Sequence, residues 1–554
     1  MSSSKTILVV ANVYPPHFIG GAELVAHRHA CIMREAGHRV IVFAGEARPG
    51  NTRHLVVRDT YEGLAVHRVQ LKAVDYNTEF VNFYHAEVER HFAELLAQRR
   101  PDVVHFHNLT GLSTGLISQA ARSGAVTVLT AHDYWGFCFR NTLLLRDGSI
   151  CRDRTACADC QMYIHDGRGA TIPVRMRNDF IALQFRTLDR LICPSAYLAA
   201  AYVESGLIPG NKAAVVHNGA DIRPLSRVSR PQANGRVRFG YIGHLGPHKG
   251  VATLLQALAL LRRDGQDVAL TVVGEGQQSE ELQRMAMSLG IAGCTRFVGK
   301  IDNRAIERVY TEIDVLVIPS IWFENQPVTM MEAMATRTAV IASRIGGIPE
   351  FVEDRKSGLL FDPGNALDLA QRMREMIDSP AERSMYTECA WQAIQEETYE
   401  RQVARIMALY DELAAAPDRR TQASEEPPVI AGIGSRLNWQ CADATDRITR
   451  AGKHTDWKFV MSDWLAGDYS SVMVAWVTDC EVPSEAVRPA LTARVPLLVP
   501  ESHTELRKLC TAAGCGLYYD SPEDIQACLE RLMCDRALRT TLGDNGLKYA
   551  LRWI

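Results

Sequence analysis

Short apolar runs alternate with amphipathic stretches along most of the chain. "TILVVANV" (6–13) is apolar on both faces and reads as a buried strand. "AELVAHRHACIMREAG" (22–37) has a helical period and ends near a glycine, and "RVIVFAG" (39–45) is a strand again. "PDVVHFHN" (101–108) and "AVTVLTAHD" (125–133) continue the pattern. Strands apolar on both faces and joined by helices build parallel sheets covered on both sides. The same grammar restarts at "VRFGYIGHLG" (237–246) and runs through "DVALTVVGEG", "TRFVG", "DVLVIPS", "TAVIAS" and "SGLLFD". Between the two lies "NGADIRPLSRVSRPQANGR" (218–236), polar and rich in Pro and Gly, the expected hinge between two Rossmann-like domains of residues 1–225 and 226–384.

A second boundary falls at 413–428, where "AAAPDRRTQASEEPP" reads as a flexible linker. Beyond it the chain reads as a repeat of itself; a general likeness between any two α/β segments is the plain alternative. "VPLLVPESHTELRKLCTAAGCGLYYD" tracks "TAVIASRIGGIPEFVEDRKSGLLFD", and "IAGIGSRLNW" echoes "FGYIGHLGPHKG". Residues 429–554 are therefore expected to be a shortened, degenerate copy of the second domain. In that copy Glu481 aligns with Glu324, Pro489 with Glu332 and Gln440 with Lys249. A proline cannot replace a carboxylate, and a neutral amide is a poor counter-ion, so the copy is expected to lack the chemistry described next.

Two segments of the second domain carry that chemistry. "GHLGPHKG" (243–250) follows a strand and precedes a helical pattern. Such a turn lets backbone N–H groups face an anion, and Lys249 adds a charge; an ordinary turn with a solvated lysine is the plain alternative. "WFENQPVTMMEAMA" (322–335) places Glu324 in a loop, Pro327 in the first turn of a helix and Glu332 in the next. Asn325 or Gln326 would cap that helix. One carboxylate can accept a ribose diol, the other can orient hydroxyls further along the ligand, and phosphates would lie between them; two solvated glutamates on a surface helix are the alternative.

Together these segments resemble the retaining glycosyltransferases of family 4, which have the GT-B fold. Glu324 and Glu332 match the family's E-x7-E motif, and "GHLGPHKG" its phosphate loop. "VGEG", "FVGKI", "DVLVIPS" and "SRIGGIPEFV" fall in the family's order, as do "YPPHFIGGAE", "DVVHFHN", "AHDYW", "CPS" and "VVHNGAD" in the first half. The resemblance covers about residues 5–412. It implies an α/β GT-B fold, with residues 385–412 crossing back to an acceptor-side first domain. It implies donor contacts from Gly20, Gly21, Gly243, His244, Asn325, Gln326, Pro327 and Val328. Lys249 would neutralise the diphosphate, Glu332 would hold the ribose, Glu324 the transferred sugar, and His132 would lie near the anomeric carbon. His244 stands where the family commonly has Arg, so its protonation would supply part of that charge. The implied partners are a nucleotide-diphosphate sugar and a glycan or lipid-linked acceptor, in surface polysaccharide or glycoconjugate synthesis. A catalytically silent sugar-nucleotide scaffold and a GT-B epimerase are the competing readings.

Composition narrows the rest. The 554 residues are 47% apolar and 23% charged, which suits a globular chain. A net charge of −3 gives no bias toward nucleic acid, and none is expected as a partner. No apolar run approaches the roughly 20 residues that span a bilayer, and the N-terminus lacks a signal-peptide cleavage pattern. Fourteen dispersed cysteines point to a reducing cytosol. The exception is Cys138, Cys151, Cys157 and Cys160, expected to form a small structural Zn²⁺ site, with free thiols or a disulfide as alternatives. No Asp-x-Asp accompanies the donor motifs, so no obligatory catalytic metal is expected. The basic helix 175–190 has an apolar side that could lie on an anionic membrane or pack on its own domain.

Overall fold

The computed structural model describes residues 4–17, 21–47, 54–72, 75, 82, 85–145, 147–153, 163–165, 171–222, 236–301, 306–415, 429–433, 458–462, 472–478, 482–534 and 536–551. The apolar runs become three parallel-strand sheets. The first comprises β1 (Thr6–Ala11), β2 (Arg39–Ala47), β3 (Val56–Tyr61), β4 (Leu64–Leu71), β5 (Val103–Phe106) and β6 (Val126–Thr130). A small hairpin of β7 (Tyr163–His165) and β8 (Thr171–Pro173) follows, and β9 (Arg190–Cys193) and β10 (Ala213–Val215) complete the sheet. Its order is β10-β9-β6-β5-β1-β2-β4-β3, with β3 antiparallel at the edge. The helices that matter below are α1 (Gly21–Glu35), α2 (Ala86–Arg99), α3 (Val174–Arg186) and α4 (Ala196–Glu204).

The reading of these strands as apolar on both faces is what the packing shows. Leu8 and Val10 of β1 face one core with Phe92 and Phe106. Ile7 and Val9 face the opposite core with Ala26 and Ala30 of α1. Alternate residues of a strand point to opposite faces, so a strand buried on both sides must be apolar throughout. Each fully buried Leu, Ile or Val side chain contributes about 1.5–3 kcal/mol.

The second sheet comprises β11 (Val237–Ile242), β12 (Val268–Val273), β13 (Thr295–Gly299), β14 (Val315–Ile318), β15 (Ala339–Ser343) and β16 (Leu359–Phe361), in the order β13-β12-β11-β14-β15-β16. Helices α5 (Val251–Arg263) and α6 (Val328–Ala335) flank it. The switch point, where strand order reverses, lies between β11 and β14; ligands of open α/β sheets bind beyond the carboxyl ends of the strands at such a point. The hinge residues 223–235 and the boundary set at 225 lie outside the described residues.

The return to the first domain occurs later than residue 385. Tyr386, Ala390 and Ile394 are buried with the second domain's cores. Helix α7 (Tyr399–Ala415) then lays Val403, Ile406 and Tyr410 against Ile7 and Val9. The apolar positions before 395 match the second domain, and those after 399 match the first.

The third sheet comprises β17 (Val429–Ile433), β18 (Lys458–Ser462), β19 (Val472–Val477), β20 (Leu497–Pro500) and β21 (Gly516–Tyr519), ordered β18-β17-β19-β20-β21. Among the described residues this is the order of the second sheet less its edge strand β13. Edge strand β18 runs beside α3 of the first domain. Helix α3 is the basic helix considered above for membrane contact. Its Ile181 and Phe185 are buried in the first domain's core, so these apolar side chains face protein. Among the described residues, no helix is long and apolar enough to cross a membrane.

Candidate active site

The turn after β11 ends in a short 3-10 turn, Pro247–Lys249, followed by Gly250 in the left-handed region at φ 67°. A Cβ at Gly250 would lie 1.9 Å from the carbonyl oxygen of Pro319. Only glycine lets this turn rest directly on the end of β14. That close approach brings Lys249 Nζ to 2.7 Å from Glu324 Oε1. Ser320 Oγ donates to the same oxygen at 2.7 Å, and the ammonium lies 4.6 Å from the centroid of the Trp322 ring. Burial pushes the Glu324 carboxyl up, but the Lys249 charge and hydrogen bond, with Ser320 and Trp322, pull it further down, so it stays below the usual glutamate range. The stretch "IGG" secures the backbone here. Gly346, at φ 60°, approaches so closely that a Cβ would lie 2.2 Å from Glu324 O, and Gly347 N donates to that oxygen at 2.7 Å.

Helix α6 begins one residue later than the sequence suggests. Pro327 is its N-cap, at φ −62° and ψ 124°, with no side-chain cap. Asn325 and Gln326 are not capping residues because the first domain engages both. Asn325 Nδ2 donates to His132 O at 2.8 Å. Gln326 Oε1 accepts from Asn218 N at 2.6 Å, and its Nε2 donates to Asn218 O at 3.1 Å. Both side chains cross the interdomain cleft. Asn325 Oδ1 is buried without a partner among the described residues, a polar atom that asks for a donor.

The start of α6 meets the start of α1. The Cβ position of Gly21 lies 3.8 Å from Val328 Cγ2. The first turns of helices carry N–H groups without intrahelical partners and a partial positive charge, so the two helix starts make a place for an anion. Gly20 lies outside the described residues. Further along α6, Glu332 is half-buried. Burial pushes its carboxyl up to about 7, partly offset by the hydrogen bond from Tyr310 OH at 2.9 Å. His244, next to Gly243 in the turn, is exposed, with Nε2 2.8 Å from Gln277 Oε1.

The first domain forms the opposite wall. His132 follows β6, and its Nε2 lies 3.0 Å from His107 Nδ1. Burial, with a smaller contribution from His29, holds His132 down to about 3. His29, His105 and His107 are likewise lowered by burial, so the set is neutral at physiological pH. Asp133 is a residue that sequence reasoning missed, although "AHDYW" contains it. Burial pushes it up to about 6, with Glu23 adding to this, against the Trp135 N–H at 2.8 Å and the Arg177 charge. A small pocket here is lined by His107, Asn108, His132, Asp133 and Trp135. Of the cysteine cluster, Cys138 is buried and Cys151 donates to Asp153 O at 3.1 Å, whereas Cys157 and Cys160 lie outside the described residues.

Other ties across the cleft were not legible in the sequence. Glu350 accepts from the Ala196 and Tyr197 N–H groups, both at 2.7 Å, at the start of α4. The two chain crossings run side by side: Ala220 N donates to Glu397 O at 2.9 Å, and Gly219 N to Gln402 Oε1 at 2.8 Å.

Comparison with known proteins bears on the family and the fold. Residues 19–223 match the model for Glycosyltransferase Family 4, and residues 223–392 that for Glycosyl transferases group 1. Among curated relatives, a glycogen synthase of Mycobacterium tuberculosis is 32% identical over 167 residues, 30% of this chain and 40% of the relative. A phosphatidyl-myo-inositol mannosyltransferase of Mycobacterium leprae is 28% identical over 220 residues, 39% of this chain and 58% of the relative. The MMP alpha-(1->4)-mannosyltransferase of Mycolicibacterium hassiacum is 27% identical over 336 residues, 57% of this chain and 75% of the relative. The chain thus spans about two fifths to three fifths of the first two relatives' length. Sucrose-phosphate synthase from Thermosynechococcus elongatus shares the fold, with TM-score 0.56 at 18% identity over 74% of this chain and 99% of that one. So does Anabaena HepE, solved in complex with UDP, with TM-score 0.52 at 17% identity over 74% of this chain and 100% of that one. Two family models meeting end to end at the hinge, over two sheets that flank one cleft, place residues 19–392 of this chain in the family 4 glycosyltransferases of the GT-B fold.

Proposed function

We propose that the chain transfers a sugar from a nucleotide-diphosphate donor to an acceptor hydroxyl, with retention of anomeric configuration, in building a surface polysaccharide or related glycoconjugate. The acceptor is a glycan or a lipid-linked glycan. The observation that carries this reading is the convergence in one cleft of Lys249, Glu324, Glu332 and the starts of α1 and α6.

The chemistry follows from charge. The bond between the sugar C1 and the diphosphate oxygen breaks, and the acceptor oxygen forms a new bond to C1. Its proton leaves with the departing diphosphate. Negative charge grows on that leaving group, where preorganised N–H groups and an ammonium stabilise it. Lys249 reaches this charge while keeping its contact with Glu324. Glu324, oriented by Ser320 as well, offers its remaining acceptor capacity to sugar hydroxyls. Glu332 accepts the ribose hydroxyls once ionised. Because Lys249 and two helix termini supply positive charge, we propose that turnover needs no obligatory catalytic metal. The small pocket beside Asp133 is on the acceptor side, and Asn325 Oδ1 is free to receive a hydroxyl.

The test is incubation with UDP-, GDP- and ADP-sugars. Release of nucleoside diphosphate is expected with one base, at a rate unaffected by added Mg²⁺ or Mn²⁺. The same base should raise the melting temperature, since a ligand that binds the folded state stabilises it. Binding without turnover in the presence of candidate acceptors would replace this reading with that of a silent scaffold.

A further inference from the structure

A second cluster lies away from the cleft residues. His54 lies two residues before the edge strand β3, Asp75 follows β4, and His85 is the N-cap of helix α2. Strand β3 is antiparallel to β4, and Val56 pairs with Val69. The start of β3 therefore lies beside the carboxyl end of β4. The same edge of the sheet carries Gly21, His107 and His132, so the cluster shares that edge at its outer limit.

Three side-chain atoms converge there. His54 Nε2 lies 2.8 Å from Asp75 Oδ2, and His85 Nε2 lies 3.7 Å from the same oxygen. The two imidazole rings meet edge-on, with centroids 4.5 Å apart. All three ligand atoms lie within 4.8 Å of one another. Asp75 is 1% exposed and His85 6%. At 3.7 Å the His85 nitrogen is too far for a hydrogen bond, and it is buried without any other partner among the described residues. A buried nitrogen left in that state needs an explanation.

Hydrogen bonding alone accounts for part of the cluster. Asp75 Oδ2 accepts from Lys72 N at 2.8 Å as well as facing His54. It leaves His85 Nε2 pointing at a carboxylate across a gap. An ion fills such a gap. With tetrahedral bonds of about 2.0–2.1 Å, ligand atoms stand roughly 3.3 Å apart, and the observed 2.8 and 3.7 Å straddle that value. Two imidazoles and one carboxylate suit Zn²⁺ and neighbouring divalent transition metals, whereas Mg²⁺ prefers an all-oxygen shell.

We propose that His54 Nε2, Asp75 Oδ2 and His85 Nε2 form a site for a divalent transition-metal ion of the Zn²⁺ type, with water at the fourth position. The ion ties the start of β3, the end of β4 and the start of α2 together. It secures the outer part of the first domain's cleft-facing edge, and it is separate from the chemistry at Lys249.

The test uses the full chain, stripped with a chelator and desalted, in a Cys157→Ser/Cys160→Ser background that removes the competing thiol cluster. Titration with Co²⁺ is expected to fill one site with visible d–d bands and no thiolate charge-transfer absorption. Zn²⁺ is expected to displace Co²⁺ and raise the melting temperature. His85→Gln and Asp75→Asn should each weaken Co²⁺ binding by more than the roughly 10–100-fold that loss of an outer-shell partner costs. His54→Gln, at the more exposed rim, should do the same; near-ultraviolet circular dichroism of the metal-free variants shows that the fold is retained. Absence of binding overturns the proposal, as does binding that carries thiolate absorption or that survives in the folded variants.

Discussion

The second and third sheets share a strand order and differ in what their loops hold. In the second, the turn after β11 presents Lys249, the loop after β14 presents Glu324, and α6 presents Glu332. In the third, the segment after β19 leads into a short turn, Ser484–Val487, and a five-residue helix, Arg488–Thr492, with Pro489 in its first turn. Proline stands where alignment sets Glu332. Glu481 and Gln440, aligned with Glu324 and Lys249, lie outside the described residues. Strand order is maintained by apolar patterning and by the handedness of crossovers. The charges of Lys249 in its turn and Glu332 on α6 are not needed for any of that. The strand order therefore does not itself call for Lys249 or Glu332.

The comparison breaks most sharply if a core change in the third sheet affects donor binding. Trp476 of β19 is fully buried among Leu498, Leu529 and Leu532. Trp476→Ala is expected to cost about 3–5 kcal/mol of stability, read by denaturant melts. Titration calorimetry should find nucleotide affinity unchanged. A lost affinity would mean that the third sheet contributes to the donor site.

Lys249→Ala is the converse. It is expected to lower kcat by roughly 10²–10³-fold, the usual effect of removing a preorganised charge-stabilising group. Steady-state assay of nucleoside diphosphate release measures this. A loss below about tenfold would remove Lys249 from the mechanism.

Glu332→Gln separates stability from binding. The folded pKa of Glu332 is raised to about 7 from an ordinary 4.5. Between those values the folded state holds more protons than the unfolded one, so stability falls as pH rises through that window. Gln removes this penalty, so the ligand-free variant should melt higher than the parent at pH 8 and about equally at pH 4. Nucleotide affinity should fall in the variant, and in the parent it should weaken as pH drops below about 7. A variant no more stable at pH 8 would sink this assignment.

The smallest effect is expected at Asn325. Asn325→Ala removes one hydrogen bond to His132 O, worth about 0.5–1.5 kcal/mol. It should raise KM more than it lowers kcat, because closure weakens while Lys249 stays in place.

Much of this was legible in the chain. Buried strands announce themselves because residues such as Ile7 to Val10 are apolar on both faces, and the Lys249 and Glu324 motifs were placed in one cleft. What escaped were partners distant in sequence. Asn325 and Gln326 look like helix caps until the first domain supplies His132 O and Asn218. The late crossing was hidden because the helical periodicity around 385–395 does not say which core receives it. Asp133 gave no local signal beyond its motif, since its raised pKa depends on burial by residues far along the chain.

The contact from Glu350 to the start of α4 has one more consequence. The two N–H groups it holds belong to one domain and the carboxylate to the other. Every excursion that parts the domains must hand those amides to water, while the neighbouring Leu198 amide keeps its local Ser195 Oγ partner. Deuterium uptake at Ala196 and Tyr197, set against Leu198, would therefore time the breathing of the two domains, and a bound nucleotide sugar should slow that clock.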